Sequence, residues 1–417
     1  MNELVPFGEF LKRTAAAKHD EFRARAAMVV SGADQFEEMR AYILSLYQGI
    51  RVKHSFLGPD GHPVDCVPVE QQPSLRQATG GLAKVAEPPA VAPAPPPAAA
   101  AQGEQQQSQG VEPHLCPGRR DALGNEQSCP PGTIPMRRVT LEEVTRFENL
   151  QRFFRKGGRD KGHPRLTPRP AADAAIHRYA HAYQIVNNNG GSSRLNLWSP
   201  VPTPHNFSLS QHWYAGGSGG GLQTVEAGWQ VYPDKYNTSK AVLFIYWTAD
   251  GYRNTGNYNL DKPAFVQTDH SWVLGGTFDK YSTPGGEQRE FCVHWQRDTS
   301  NGNWWLFLQG SGNLTPIGYY PRSLFGNGQM ANFATDIDYG GEVTGAVSGQ
   351  MGSGQFASTG WQHAAYQRTI FYFPTGGSSA WATLTGSDTP TCYTIDVHNN
   401  AGGDWGTYFF FGGPRCG

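Results

Sequence analysis

The spacing of apolar residues changes once along the chain, from a helical period to that of short strands. Near the start, the segment GADQFEEMRAYILSLYQGI has apolar residues three and four apart, which places them on one face of a helix. Asp34 is suited to cap the start of this helix, and Gly49 is suited to end it. The apolar residues that predict its buried face are Phe36, Met39, Ile43, Leu46 and Tyr47.

The part of the chain from His177 to the end consists of short apolar runs, among them AVLFIYWT, EFCVHWQ, NWWLFLQ and GTYFFFGG. Gly, Asn, Asp and Pro separate these runs, which is typical of an antiparallel sandwich or barrel, and no strand–helix alternation supports a parallel sheet. We therefore predict an all-β domain over 170–417, an antiparallel β-sandwich of jelly-roll or lectin-like type. A small mixed α+β region precedes it over 1–165.

Two segments of the N-terminal region have the composition of linkers. The run EPPAVAPAPPPAAAAQGEQQQSQG offers little apolar area to bury, which predicts a disordered or semi-extended Pro/Ala/Gln linker over about 86–112. A second stretch, RKGGRDKGHPRLTPRPAADAA over 155–175, predicts a mobile joint directly before the β-domain. Between them, Thr140 and Glu143 have the spacing of a capping box at the start of a short helix.

Composition excludes several classes of protein. The 417 residues contain 34 Lys and Arg against 35 Asp and Glu, so charge gives no reason to expect a nucleic acid or an anionic membrane as partner. The 51 Gly and 30 Pro argue against a helical bundle, and no apolar run approaches the 18 residues of a membrane span. The first residues lack the apolar core of a secretion signal, so either that signal has been removed or the protein has none.

The six cysteines form no C-x-x-C pair and no zinc-binding pattern, so we predict no metal site and no cofactor. An even count permits three disulfides, although six reduced thiols in a cytosolic protein are the alternative. Cys392 and Cys416 bracket the last segment, where a disulfide would hold a terminal strand on its sheet.

Three local motifs do not support a catalytic role. Ser218 lies in GGSGG, but the strand and helix that a nucleophile elbow needs are not beside it. His177 and His181 lack the Glu of a zincin motif, and we interpret both as packing or surface residues. Asp336 and Asp338 lack the other ligands of a calcium loop.

Two glutamates differ from the other acidic residues in their local context. Glu226 lies in LQTVEAGWQVYP, where a strand would place it on the same face as Gly228 and leave open space above the carboxylate. Glu342 follows Gly340 and Gly341 in DIDYGGEVTG. Orientation toward solvent is the alternative for both side chains, because spacing alone does not select this pair among 35 acids.

Longer motifs resemble a known family. FSLSQHWYAGGSGGGLQTVEAGWQVYPDKY from Phe207, YGGEVTG from Tyr339 and DWGTYFFFGGP from Asp404 resemble the neprosin family of glutamic peptidases, in the order found in that family. VDCVPVEQQPSL from Val64 and CPPGTIPMRR from Cys129 resemble the activation peptide of the same family.

This resemblance implies that Glu226 and Glu342 are the catalytic residues. It also implies disulfides Cys392–Cys416 and Cys66–Cys129, with Cys116 and Cys292 free. Asn257 stands in TGNYN, where plant members have a cysteine, so the small loop disulfide of those members is absent.

The function implied is a secreted endopeptidase, made as a zymogen, that cleaves after proline at acid pH and requires no metal. One glutamate would act as general base and the other as general acid. Trp229, Tyr246 and Trp247, with the aromatic residues of GNWWLFL, are candidates for a groove that stacks on proline rings, although core packing is the alternative for each.

Protein or peptide substrates containing proline are the expected partners, and we expect a monomer. A non-catalytic carbohydrate-binding β-sandwich is the alternative function, because aromatic-rich sandwiches of this kind also occur among lectin-like modules.

Overall fold

A computed structural model of the protein describes residues 3–23, 28–30, 32–76, 84–96, 107–116, 118–156, 177–389 and 391–417. Most of the predicted joint over 155–175 lies outside these residues. Among them, no helix is both long enough and apolar enough to cross a bilayer.

The helices belong almost entirely to the N-terminal region. The predicted helix is present from Ala33 to Leu46, and Phe36, Met39, Ile43 and Leu46 are buried as expected. Gly32, not Asp34, precedes its first turn. The predicted capping box is also present, with the Thr140 hydroxyl accepting from the backbone N–H of Glu143. The α-helices are α1 Phe7–Ala16, α2 His19–Arg23, α3 Ala33–Leu46, α4 Pro73–Arg76, α5 Leu141–Val144, α6 Leu150–Phe154 and α7 Pro233–Tyr236.

The strands form a small sheet and a large one. The small sheet belongs to the N-terminal region, and in it Pro63–Pro68 pairs with His54–Leu57 on one side and with Thr133–Arg137 on the other. The strands are β1 His54–Leu57, β2 Pro63–Pro68, β3 Gln109–Gly110, β4 Thr133–Arg137, β5 His177–Asn196, β6 Ser208–Gly216, β7 Gln223–Val231, β8 Val242–Thr248, β9 Asn257–Tyr258, β10 Val266–Gln267, β11 Arg289–Arg297, β12 Trp304–Gln309, β13 Thr315–Tyr320, β14 Ala334–Thr344, β15 Ala365–Pro374, β16 Ala380–Trp381, β17 Thr385–Ser387, β18 Thr394–His398 and β19 Tyr408–Gly412.

The long strand β5 divides the large sheet into two layers. Its first half pairs with β14, which continues through β6, β7 and β8 to β9, and we call this layer the site sheet. Its second half pairs with β11 and β15, and β11 continues through β12 and β13 to β10 in what we call the second sheet. The all-β class with antiparallel pairing is therefore confirmed.

Side chains from the two layers meet in one apolar core. The Tyr214 ring of β6 lies 6.4 Å from the Trp304 ring of β12, and the Trp247 ring of β8 lies 6.1 Å from the Tyr320 ring of β13. Alternate residues along each strand face this core, and the residues between them face outward. The outer faces of the two sheets are therefore the surfaces that the N-terminal region can cover.

The described parts of the predicted disordered linker differ from the prediction. Residues 84–96 follow the second sheet without regular secondary structure, and Trp381 Nε1 donates to the carbonyl oxygen of Pro96 over 3.1 Å. Residues 109–110 form β3, which pairs with the start of β11. A polyproline segment loses little entropy on docking because its conformation is already restricted.

One disulfide lies in the N-terminal region and one lies at the end of the β-domain. Cys66 pairs with Cys129 beside the small sheet, and Cys392 pairs with Cys416 at the end of the chain. These are the pairs that the family resemblance implies, and Cys116 and Cys292 are free as expected.

Candidate active site

Two strands of the site sheet place Glu226 and Glu342 on the same face. Glu226 lies in β7 opposite Trp213 of β6, and Glu342 lies in β14 opposite Leu209 of the same strand. Because Leu209 and Trp213 are four residues apart, they point to one face, and so do the glutamates paired with them. Glu226 is 0% exposed and Glu342 is 2% exposed. Both carboxylates are therefore buried, not directed to solvent.

A lysine from the N-terminal region joins the two glutamates. Lys156 Nζ lies 2.6 Å from Glu226 Oε2 and 3.0 Å from Glu342 Oε2. Its ammonium also lies 5.0 Å from the centre of the Trp213 ring. The lysine side chain is only 4% exposed, and a buried charge is tolerated only where opposite charges pair with it. One ammonium group thus holds both carboxylates.

Neutral donors complete the surroundings of Glu226. Tyr252 Oη donates to Glu226 Oε1 over 2.6 Å, and Thr224 Oγ1 donates to the same oxygen over 2.9 Å. Gln211 Nε2 donates to Oε2 over 3.1 Å. Burial, followed by the nearby Glu226 charge, raises the pKa of Tyr252 well above its ordinary value, so the phenol keeps the proton that it donates. These contacts fix the orientation of the carboxylate.

Glu342 has a different set of partners. His177 Nδ1 lies 2.5 Å from Glu342 Oε1, while Lys156 contacts the other oxygen. Burial alone would raise the pKa of Glu342, but Lys156 and His177 outweigh it and hold the pKa below its ordinary value. Glu342 is therefore ionised while Lys156 is in place. The interpretation of His177 as only a packing or surface residue is wrong, because it contacts this carboxylate.

The glycines beside the glutamates permit close approach of backbones, not the open space that the sequence suggested. A Cβ at Gly228 would lie 2.0 Å from the Ser210 carbonyl oxygen and 2.9 Å from Gln211 Cβ. A Cβ at Gly340 would lie 2.4 Å from the Ala180 carbonyl oxygen. The absence of a side chain at Gly228 leaves Gln211 the room it needs to reach Glu226.

The three aromatic residues proposed for a proline groove lie on different faces. Tyr246 is paired with Glu226 across β7 and β8, so it shares the face of the site. Trp229 and Trp247 are buried on the opposite, core face, where Trp229 Nε1 donates to the Asn196 carbonyl oxygen over 2.9 Å. Trp247 Nε1 donates to Asn257 Oδ1 over 2.9 Å. The strand period separates both tryptophans from the glutamates, so the groove interpretation is wrong for them.

Sequence reasoning missed the lysine and the polar donors. Lys156 follows helix α6 by two residues and is the second residue of the segment 155–175 that was predicted to be a mobile joint, so its sequence context gave no signal for a site residue. His181, like His177, has a carboxylate partner, because its Nδ1 lies 2.7 Å from Asp338 Oδ1. Within the described ranges, no group of three or more His, Cys, Asp and Glu side chains is arranged to hold a metal ion.

Comparison with known proteins identifies the family. Residues 204–414 match the family model described as Neprosin, and residues 55–183 match the model described as Neprosin activation peptide.

Among solved structures, similarity is found to a scytalido-glutamic peptidase crystallised with a transition state analog inhibitor. The identity is 10%, the TM-score is 0.31, and the match covers 58% of this chain and 99% of that one. SCP-B, a member of the Eqolisin family of peptidases in complex with the tripeptide Ala-Ile-His, matches at 8% identity and a TM-score of 0.27, with the same two coverages.

The Neprosin match covers more than half of the chain and contains both glutamates. The chain therefore belongs to the neprosin family of glutamic peptidases and carries the activation peptide of that family.

Proposed function

We propose that the protein is the zymogen of a secreted endopeptidase that cleaves after proline at acid pH, with Glu226 and Glu342 as its catalytic pair. The observation that supports this most strongly is the position of Lys156. A residue of the activation peptide holds two buried glutamates from separate strands, at a place where a substrate would have to enter. Paired buried carboxylates have no use in the alternative, a carbohydrate-binding module.

The reaction needs one glutamate ionised and the other protonated. The ionised one removes a proton from water, which attacks the peptide carbonyl, and the protonated one donates to the leaving amine. When Lys156 leaves, the two carboxylates repel each other and burial disfavours a double negative charge, so one proton is retained by the pair. Tyr252 and Thr224 then keep Glu226 oriented, and His177 keeps Glu342 oriented.

Latency follows from the same contacts. The ammonium of Lys156 occupies the space between the carboxylates and favours the ionised form of Glu342, so neither water nor the catalytic proton is available. Acid weakens the ion pairs of Lys156 by protonating carboxylates. Among the described residues, Arg119 of the N-terminal region and Asp279 of the β-domain form a further ion pair between the two parts of the chain.

The resemblance to the family supports the proposed preference for proline, and secretion agrees with the two disulfides. Of the three predicted groove residues, Tyr246 shares the face of Glu226; it is buried in the full chain, and contact with a proline ring would follow the departure of the activation peptide.

The test compares Glu226→Gln and Glu342→Gln with wild type on a fluorogenic peptide containing proline, between about pH 3 and 7. Glutamine keeps the shape and cannot exchange a proton, so each variant should lose at least about 100-fold in turnover. Glu287→Gln changes an exposed glutamate of the same domain and should keep full activity. Substantial activity in either site variant, with its fold intact by circular dichroism, would refute the assignment.

A further inference from the structure

The proline-rich segment 84–96 shows a three-residue period of burial. Ala86, Pro89 and Ala92 are partly buried and Pro95 is buried, whereas the intervening residues from 87 onward are exposed. A polyproline II helix has three residues per turn, so one of its three edges faces the protein. Segment 84–96 therefore lies on the domain as a polyproline II helix would lie in a recognition groove.

Side chains of the second sheet bond to the backbone of this segment. Gln296 Nε2 donates to the Ala90 carbonyl oxygen over 2.8 Å, and Gln296 Oε1 accepts from the Ala92 N–H over 3.0 Å. Ser379 Oγ donates to the Pro93 carbonyl oxygen over 2.5 Å. A polyproline II helix has no internal hydrogen bonds, so its carbonyl groups are free for such donors.

Two aromatic side chains bond to the ends of the segment. Tyr319 Oη accepts from the Ala86 N–H over 3.2 Å, and Trp381 Nε1 donates to the Pro96 carbonyl oxygen over 3.1 Å. Indole and phenol groups that bond to the backbone of a proline-rich peptide are a recurrent means of recognising polyproline II helices. All of these bonds are made to backbone atoms of segment 84–96, so none depends on which side chains the segment carries.

An unbroken row of rings connects Tyr319 to Trp381. The Trp305 ring lies 4.8 Å from that of Tyr319 and 6.3 Å from that of Phe307. His294 lies 5.2 Å from Phe307 and 5.0 Å from Phe373.

Phe371 completes the row, 5.8 Å from Phe373 and 6.1 Å from Trp381. Trp305 and Phe307 belong to the GNWWLFL motif, and Val85 and Ala86 at the start of the segment pack against their cluster, on the sheet opposite the glutamates.

We infer that this row of rings, together with Gln296, is a groove that binds polyproline II segments, and that in the activated enzyme it holds proline-rich stretches of substrate proteins. In the full chain the activation peptide fills the groove, with its own segment 84–96 along the row and with Val69 and Leu75 against the rings of Trp305, Phe307 and Tyr319. Removal of the activation peptide exposes it. A second contact with the same substrate chain raises the effective concentration of cleavable bonds near the glutamates. The substrate role rests on the proposed peptidase function, whereas peptide binding does not.

The binding test uses the full chain carrying Glu226→Gln, so that the probe is not cleaved. Pro89→Asp, Ala92→Asp and Pro95→Asp together place charges on the inward edge and should release segment 84–96 from the rings. Pro88→Asp, Val91→Asp and Ala94→Asp are the matched control, with the same spacing and charge on an exposed edge, where Val91 is 44% exposed. The probe is a fluorescent peptide of the sequence KVAEPPAVAPAPPP, followed by anisotropy.

The inward variant should bind this peptide, while the outward variant and the parent, whose groove is occupied, should not. Adding Gln296→Ala to the inward variant should weaken binding about tenfold, because two hydrogen bonds are lost. A chain with Gly and Ser in place of residues 84–96 should bind like the inward variant, and a probe with Ser for every Pro should not bind. The groove assignment would be wrong if the peptide bound neither to the inward variant nor to the chain with Gly and Ser at 84–96. It would also be wrong if Gln296→Ala left the affinity of the inward variant unchanged.

The substrate test compares kcat/KM for two substrates with the same cleavage sequence, one short and one carrying a proline-rich extension. In acid-activated enzyme, Gln296→Ala should lower the ratio of long to short severalfold. If the peptide binds but this ratio does not change, the groove serves only to hold the activation peptide and the substrate role is wrong. If wild type cleaves neither substrate, the proposed peptidase function fails, independently of the groove.

Discussion

At the scale of single residues, the site is defined by one ammonium group between two carboxylates. Lys156 favours the ionised form of Glu342, whose pKa lies below its ordinary value despite complete burial. The ion pair therefore contributes to stability at pH above the ordinary glutamate range, and its contribution is lost as pH falls through the lowered pKa. Acid is thus the condition that both frees Lys156 and protonates the pair.

Replacing Lys156 by Met should allow activation at higher pH. Without the ammonium, burial and the charge of Glu226 both raise the pKa of Glu342, so the singly protonated pair forms at a less acid pH. At about pH 5, above the ordinary pKa of a glutamate, the processed fraction after a fixed time should rise severalfold over wild type. Gel electrophoresis across a pH series measures this fraction.

Arg155→Met is the matched control, because Arg155 bonds to the carbonyl oxygen of Arg253 and does not contact the glutamates. It should activate over the wild-type pH range. A Lys156→Met chain that needs the same or a lower pH would show that Lys156 does not control the protonation of the pair.

At the scale of elements, the glycines of β7 and β14 allow neighbouring strands to lie close enough for polar side chains to reach the glutamates. Gly228 faces Gln211, whose amide bonds to Glu226, and Gly340 faces the backbone of β5. Neither position has room for a methyl group. The strands that carry the site are therefore packed against their neighbours as closely as residues in a protein core.

Gly228→Ala should destabilise the β-domain by about 1 to 3 kcal/mol, because its methyl group would overlap the Ser210 carbonyl oxygen and displace Gln211. Chemical denaturation monitored by tryptophan fluorescence measures the free energy of unfolding. Gly221→Ala serves as control, since nothing lies within 4 Å of a Cβ at that position. Equal stabilities of the two variants would contradict the role given to Gly228.

At the scale of the whole molecule, the activation peptide contacts the outer faces of both sheets. Lys156 reaches the site sheet, and segment 84–96 follows the second sheet. Along the chain, segment 84–96 precedes and Lys156 follows residues 109–110, which form β3 and pair with β11. The activation peptide is therefore integrated with the β-domain at several places, and its release requires more than the loss of one ion pair.

Incubation of the full chain near pH 3 should produce a new N-terminus within 165–176, at the proline-containing joint that precedes the β-domain. The enzyme would cut there itself, because HPRLTPRPAADAA offers bonds that follow proline. N-terminal sequencing of the product identifies the cut, and Glu226→Gln should give no such product. An intact chain with full activity would contradict release of a pro-region.

The sequence by itself determined the elements whose signals are local. The period of three and four gave α3, the Thr140 and Glu143 spacing gave the capping box of α5, and short apolar runs gave the antiparallel β-domain. The motifs and their order were sufficient to recognise the family, and the resemblance to it implied the pairing of the cysteines. Each of these depends on residues near one another in the chain or on patterns that homologous proteins share.

Only the tertiary structure decided which distant side chains meet. Lys156 is 70 residues from Glu226 in the chain, and Gln296 is more than 200 residues from Ala90, so no local pattern relates them. Strand alternation placed Trp229 and Trp247 in the core and left Tyr246 beside Glu226, a difference that composition does not reveal. A proline-rich run that looks disordered in isolation docks here because the second sheet supplies aromatic rings and backbone-directed donors that its own sequence cannot provide.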